Sequence, residues 1–214
     1  MHQSPPAVGT LLCLAEAAAG CRICRERPDG LPLPHEPRPI FRLSGQARVV
    51  IASQAPGHRA HVSGVPFDDP SGVRLRAWMG LSPDRFYDRE RVAIVPMGFC
   101  FPGHDRNKGD LPPRPECRDA WHDRIFAAMP QAELILMIGL HAIRYHLARF
   151  GIPLARNAGM AEIVAGWRDF ATTTPRLIPL PHPSWRNTAW LNRNPWFAAD
   201  LLPELRAEVA RLTA

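Results

Sequence analysis

Four short, continuously apolar runs constrain this chain more than any other feature: ARVVIAS at 47–53, VAIVPM at 92–97, AELILMIG at 132–139 and RLIPLP at 176–181. A strand with one wet face alternates apolar and polar residues, whereas an unbroken run marks a parallel strand covered on both faces. Between the runs the period changes to that of a helix. The segment 71–79 starts with Ser71 as a candidate N-cap, 115–129 stacks Trp121, Ile125 and Met129 four apart, and Ile143, Leu147 and Phe150 share a face. Asn194 and Pro195 form an N-cap and N1 pair before a last helix carrying Leu201, Leu205, Val209 and Leu212, with a kink expected at Pro203. AVGTLLCLAEAAAG reads as an amphipathic first helix ended by Gly20. The alternation predicts a three-layer α/β/α fold with a central four-stranded, mostly parallel sheet. With 214 residues, one such domain is expected over 1–214, its N-terminal helix and CxxC segment (1–40) packed on it.

Twenty-six Lys plus Arg against 20 Asp plus Glu give a net charge of +6, and Lys108 is the only lysine. A surface charged almost wholly by arginine suits phosphate-bearing partners, because the planar guanidinium binds phosphate in a fork. Codon bias toward arginine explains the skew equally well, so charge alone does not name DNA. No Lys or Arg precedes the first apolar segment and Glu16 interrupts it, which argues against a secretory signal. No run reaches the length of a membrane span. Five cysteines without an export signal predict reduced thiols in a cytoplasmic protein.

Four of those cysteines fall as C-x2-C (Cys21, Cys24), a gap of 75 residues, then C-x16-C (Cys100, Cys117). A tetrathiolate assembled by folding suits a [4Fe-4S] cluster or zinc, in a structural role because protein fills every position. Cysteines that simply pack without metal are the plain alternative. Cys13 is left over and is expected to be buried.

Doubly wound sheets bind ligands beyond the carboxyl ends of their strands. Here those ends run into SQAPG (53–57), PMGFCFPG (96–103) and PHPS (181–184), so three candidate motifs converge on one edge. Around Ala55 and Gly57 a bare turn lets backbone N–H groups approach a planar ligand, although any βα turn can look this way. Phe67, ten residues past Gly57, can stack on a base or fill the core. His182 is held between two prolines and can stabilise charge on a leaving group. Ser184, Trp185 and Arg186 beside it offer a hydroxyl, a wedge and a guanidinium for phosphate contact and for filling a gap in a stack. His58, Arg59 and His61 are expected to face solvent or phosphate. Asp68, Asp69, Asp105 and Asp110 are possible acids, though such residues more often cap loops.

Taken together these residues resemble the uracil-DNA glycosylase superfamily, most closely its iron-sulfur (family four) branch. That branch carries an N-terminal CxxC, a G-E-A-P-G turn, a G-R-P-F segment, a cysteine after strand two, a fourth about sixteen residues on, and a late H-P-S. The matching positions here are Cys21 and Cys24, Ser53 to Gly57, Gly64 to Phe67, Cys100, Cys117, and His182 to Ser184, over roughly residues 20–200. The resemblance implies a DNA partner, a monomer, a structural [4Fe-4S] cluster on the four cysteines, and hydrolysis of the N-glycosidic bond of a deaminated or damaged base, uracil by likeness. It implies that Phe67 stacks on the flipped base, that backbone near Ala55 and Gly57 contacts it, and that His182 stabilises the departing anion. The chain departs from the pattern at the catalytic acid, where Gln54 replaces glutamate, and at Ala60 and His61, where further acids are usual. Pro96 stands where an asparagine reads uracil. Gln54 can orient a water but cannot take its proton. Two further readings therefore stay open: a diverged iron-sulfur module that binds nucleic acid or a partner without turnover, and a zinc-stabilised hydrolase of a small nucleoside.

Overall fold

The computed structural model describes residues 8–107 and 109–214; residues 1–7 of the expected N-terminal segment, and Lys108, lie outside it. In chain order the elements are α1 (Val8–Ala19), α2 (Ile23–Glu26), β1 (Val49–Ala52), α3 (His58–Ser63), α4 (Pro70–Met79), α5 (Pro83–Tyr87) and β2 (Val92–Ile94). They continue with α6 (Pro115–Ala127), β3 (Leu134–Ile138), α7 (Leu140–Arg149), α8 (Met160–Ala165), β4 (Arg176–Leu180), α9 (Thr188–Arg193) and α10 (Leu202–Leu212). The four strands pair in the order β2-β1-β3-β4, every pair parallel. Residues of β1, β2 and β3 are buried throughout, as unbroken apolar runs require of a sheet covered on both faces. With helices flanking it, the sheet is the middle of three layers.

One contiguous apolar core runs from Leu11 and Leu14 on α1 to Leu205, Val209 and Leu212 on α10. The α1 and α2 helices pack on α6, and α4 packs on α10. The buried stripe of α1 is Leu11, Leu14 and Ala18. Cys13 falls on the opposite face and is exposed, contrary to the sequence expectation, because the i, i+3, i+7 spacing that buries those three turns residue 13 outward.

Two helix boundaries also differ from expectation. The N-cap of α4 is Asp69, whose Oδ1 accepts from the Gly72 N–H at 2.9 Å, while Ser71 lies inside the first turn behind Pro70. A proline is well placed in that turn because its missing N–H would be an orphan there anyway. At the other end, Pro203 sits in the first turn of α10, preceded by a π turn over Phe197–Leu201. The expected kink takes that form: the wider turn accommodates a ring with no N–H to donate and no room for the carbonyl four residues back.

β2 is an edge strand, and its continuation explains how Pro96 is tolerated. Val95, Met97 and Gly98 donate N–H bonds at 2.9 Å to Ile51, Ser53 and Gln54 of the central strand and its exit loop. The nitrogen of Pro96 belongs to the opposite side of the ladder, where the 40–42 segment pairs with Ile94 and Phe99 and takes no N–H from residue 96. Its carbonyl points inward instead, accepting from Nε2–H of the buried His122 at 2.9 Å. His122 stacks on His146 with ring centroids 5.8 Å apart, and neither nitrogen of His146 has a partner among the described residues.

Burial pushes the His122 imidazole down to about 4 and that of His146 well below its ordinary value, so the fold holds both neutral. The unfolded chain takes up these protons first, so their contribution to stability is complete above an unfolded pKa of about 6.5 and declines as pH falls below it. Denaturant titrations should therefore show stability falling from pH 7 to pH 5, by at most about 1.4 kcal/mol per pH unit for each histidine. His146→Leu, which removes two unpaired buried nitrogens, should flatten that slope and leave stability at pH 7 unchanged or raised. An unaltered slope in the variant would mean that His146 is not held neutral.

Candidate active site

β1 neighbours both β2 and β3, so the strand order reverses at the carboxyl end of β1 and opens a crevice between the loops leaving β1 and β3. Gln54, the second residue past β1, reaches into it. Gly139, the first residue past β3, faces it with φ +82°, and a Cβ there would stand 2.8 Å from Nε2 of Gln54. Only glycine meets both demands at that position. The side-chain amide of Gln54 forms no hydrogen bond to the described residues and is not sealed from the cavity, so its donor and acceptor are free for a ligand.

The cleft beyond the sheet has a volume of ≈ 620 Å³, ample for a nucleotide-sized group. Gln54, Ala55, Gly57, Phe67, His182, Ser184, Trp185 and Arg186, all the base-site and DNA-site residues expected from sequence, line this one cavity. Pro96 forms part of its wall, and because its carbonyl is turned back to His122 that wall presents no hydrogen-bonding group from residue 96.

Phe67 is placed by strain rather than by a strand. It is the only non-glycine residue with positive φ (58°) among those described, a conformation that costs about 1–2 kcal/mol. Several contacts hold it. The Tyr87 hydroxyl lies 3.1 Å from the Pro66 carbonyl and 3.2 Å from that of Phe67, and Phe86 meets the Phe67 ring edge-on at 6.2 Å. Gly72 in the next helix lets the backbone come close, for a Cβ there would lie 1.8 Å from the Phe67 carbonyl oxygen. The sequence gives no sign of Gly72 and Tyr87, since nothing about a helical glycine or a distant tyrosine announces that it holds the turn at Phe67.

His182 follows β4, and its Nδ1 accepts from the Ser184 N–H at 3.2 Å. That bond leaves the hydrogen of the neutral ring on Nε2, which has no partner among the described residues and is not sealed inside. Burial lowers the His182 pKa, opposed by the charges of Asp69 and Asp110 and assisted by Arg186. A neutral imidazole donating from Nε2 is thus the form that faces the cleft at pH 7. Asn187 Nδ2 donates to the His182 carbonyl at 2.7 Å, and Arg74 of α4 donates to the Ser184 carbonyl at 3.0 Å, which fixes the loop. Trp185 stands out at 76% exposure with the Arg186 guanidinium 6.0 Å from its ring. Of the other basic residues expected outside, His58 and Arg59 are exposed and His61 is half-buried.

The cysteines gather away from the cleft. Cys24, Cys100 and Cys117 are buried and Cys21 is half-buried. Each sulfur faces an N–H donor: Trp121 Nε1 lies 3.3 Å from Cys21 Sγ, the Phe99 amide 3.2 Å from Cys117 Sγ, and the Arg38 amide and Arg114 side chain face Cys100 and Cys24. Burial pushes the Cys100 thiol up to about 12, and Cys117, hydrogen-bonded to Cys24 and buried, lies well above its ordinary value. Cys24 is lowered, chiefly by the hydrogen bond from Cys117. Among the described residues no three His, Cys, Asp or Glu side chains are drawn around a single ion position. The Arg114 guanidinium sets a positive charge beside Cys24, and the N–H groups aimed at the other sulfurs are donors of the kind that a thiolate accepts from.

An open parallel α/β sheet with an aromatic ring, an amide and a neutral histidine gathered at its switch point defines a ligand-pocket protein of the doubly wound class. Residues 41–206 match the model of the Uracil DNA glycosylase superfamily, and the chain belongs to that superfamily, whose fold and DNA-repair character it shares at family level. Among the described residues no helix is long and apolar enough to cross a membrane.

Gly72→Ala should force the Phe67 backbone out of its left-handed position. We expect a loss of about 1–3 kcal/mol in thermal or denaturant unfolding, accompanied by weaker binding of any base that stacks on Phe67. Unchanged stability would show that the helix can shift without cost.

Proposed function

We propose that this chain is a DNA glycosylase that hydrolyses the N-glycosidic bond of a deaminated or damaged base turned out of the DNA helix. The observation that carries the reading is the neutral His182, whose free Nε2–H faces the same cavity as Phe67 and Gln54. Phe67 stacks on the base, and the backbone at Ala55 and Gly57 lies along its edge. The Gln54 amide hydrogen-bonds it or a water, and His182 donates to the oxygen on which charge develops as the base leaves. A neutral donor suits this task, since it meets the growing anion without having first bound a ground-state charge. Trp185 and Arg186 at the lip suit the gap left in the stack and the neighbouring phosphate.

Pro96 bears on which base is accepted. With no amide at that wall, discrimination against cytosine and thymine loses a hydrogen-bonding partner, and edge recognition falls to Gln54. Uracil is the substrate by resemblance; other deaminated bases that can pair with a primary amide belong to the same class.

Cys21, Cys24, Cys100 and Cys117 would hold a structural [4Fe-4S] cluster, which would tie the N-terminal segment to the loop after β2 and to α6. The N–H donors at the sulfurs support this reading. The zinc alternative is separated from it by metal and sulfide analysis of anaerobically purified protein: about four irons and four sulfides per chain are expected, and stoichiometric zinc with no sulfide would exclude the cluster.

A panel of single- and double-stranded oligonucleotides, each carrying one modified base, tests the activity directly. Abasic product should form from at least one deaminated base, and His182→Ala should slow it by roughly 10²–10³-fold, as loss of an oxyanion-type donor does. The second reading, a binding module without turnover, is favoured by Gln54 in place of an acid. It predicts salt-sensitive DNA affinity with no abasic product from any lesion.

A further inference from the structure

We infer that Asp110 is the carboxylate that activates the hydrolytic water, doing the work that Gln54 cannot. The inference rests on the glycosylase reading above and deepens it. Two carboxylates line the cleft among the described residues, Asp69 and Asp110. Asp69 is committed to capping α4, where its Oδ1 accepts from the Gly72 N–H. Asp110 lines both the main cleft and a second cavity of ≈ 150 Å³, together with Gln54, Ala55, Pro56 and His182. The Asp110 Oδ2 atom stands 3.5 Å from the point where a Cβ on Gly57 would be, so the carboxylate rests directly against the bare turn after β1.

The loop between β2 and α6 is shaped to hold it there. The Leu111 N–H donates to the Gly103 carbonyl at 2.9 Å and the Asp105 N–H to the Gly109 carbonyl at 2.7 Å, which sets His104 and Asp110 opposite one another as an antiparallel pair. Gly103 makes this turn at φ +99°. Asp110 Oδ1 then lies 3.2 Å from His104 Nδ1, and the His104 ring is packed edge-on against Phe101 at 4.9 Å. One carboxylate oxygen is thereby occupied and the other is left toward Gly57 and the cleft. The charges of Asp69 and Asp110 both act on His182, Asp69 the more strongly, and both carboxylates line the same cleft as that ring.

The chemistry balances with these groups alone. The C1′–N bond breaks and its electron pair leaves on the base, where the His182 Nε2–H stabilises it. The water oxygen bonds to C1′ and its proton passes to Asp110 Oδ2, leaving a C1′ hydroxyl. That proton is then lost to solvent or to the departing base, which restores the carboxylate. Gln54 orients the water or base by hydrogen bonding throughout.

The test uses the full chain and the oligonucleotide that the wild type cleaves best, under single-turnover conditions. Asp110→Asn should lower the cleavage rate by about 10²–10⁴-fold, the range for loss of a general base. The Kd for an uncleavable oligonucleotide bearing 2′-fluorinated deoxyuridine should stay within about twofold, in keeping with a group that serves chemistry and not uniform binding. Asp110→Ala should regain part of the rate when formate is added, since an external carboxylate can stand in for the missing one, whereas a loop defect would not respond. Full activity in Asp110→Asn, or a loss that tracks weakened binding and a lowered melting temperature without formate recovery, would overturn the inference and leave the glycosylase reading standing. A wild type that makes no abasic product from any lesion would overturn both.

Discussion

The structure depends on burying four apolar strands side by side in one parallel sheet. Because the chain lays β2 on one side of β1 and β3 on the other, the loops leaving β1 and β3 must diverge, and the gap between them is unavoidable. Everything chemical hangs on that gap. Gln54 projects from one wall, Gly139 leaves room on the other, and His182 arrives from β4, the strand next to β3. A sheet with hairpin connections would have offered no such crevice.

Precision at the site comes from contacts outside it. Phe67 occupies a backbone conformation that a phenylalanine avoids, and it stays there because Tyr87, Phe86 and the bare Cα of Gly72 leave no better place. His182 keeps its proton on Nε2 because the Ser184 amide occupies Nδ1, and Arg74 and Asn187 hold the loop that makes this so. Pro96 removes a polar group from the wall, and His122 draws its carbonyl away as well. The pocket is thus held by contacts that lie outside it, and its wall at Pro96 is poor in hydrogen-bonding groups.

Much of the fold was legible in the sequence because its signals are local. The four apolar runs are the four strands, shortened at their ends where the chain bends into loops, and the helices at 70–79, 115–127, 140–149 and 202–212 follow from their periodicity. The short helices at 58–63, 83–87, 160–165 and 188–193 escaped notice, since five or six residues carry too little periodicity to register. The cap on α4 was assigned to Ser71 instead of Asp69 because both precede apolar positions, and only the backbone geometry around Pro70 decides between them. Cys13 was expected inside because cysteines usually are, but its position on α1 turns it outward.

Sequence by itself determined the sheet, the helices that cover it and the residue types gathered at the strand ends, because period, proline and glycine act over a few neighbours. It also determined the superfamily, through motifs whose spacing survives Gln54 and Pro96. Tertiary structure alone decided which of four candidate aspartates meet the cleft: Asp69 and Asp110 do, and they differ in what lies across from them. One is spent on a helix terminus, and the other is set against Gly57 and His104 by a loop closed through long-range packing. Electrostatic roles belong to positions in space, and no spacing along a chain can assign them.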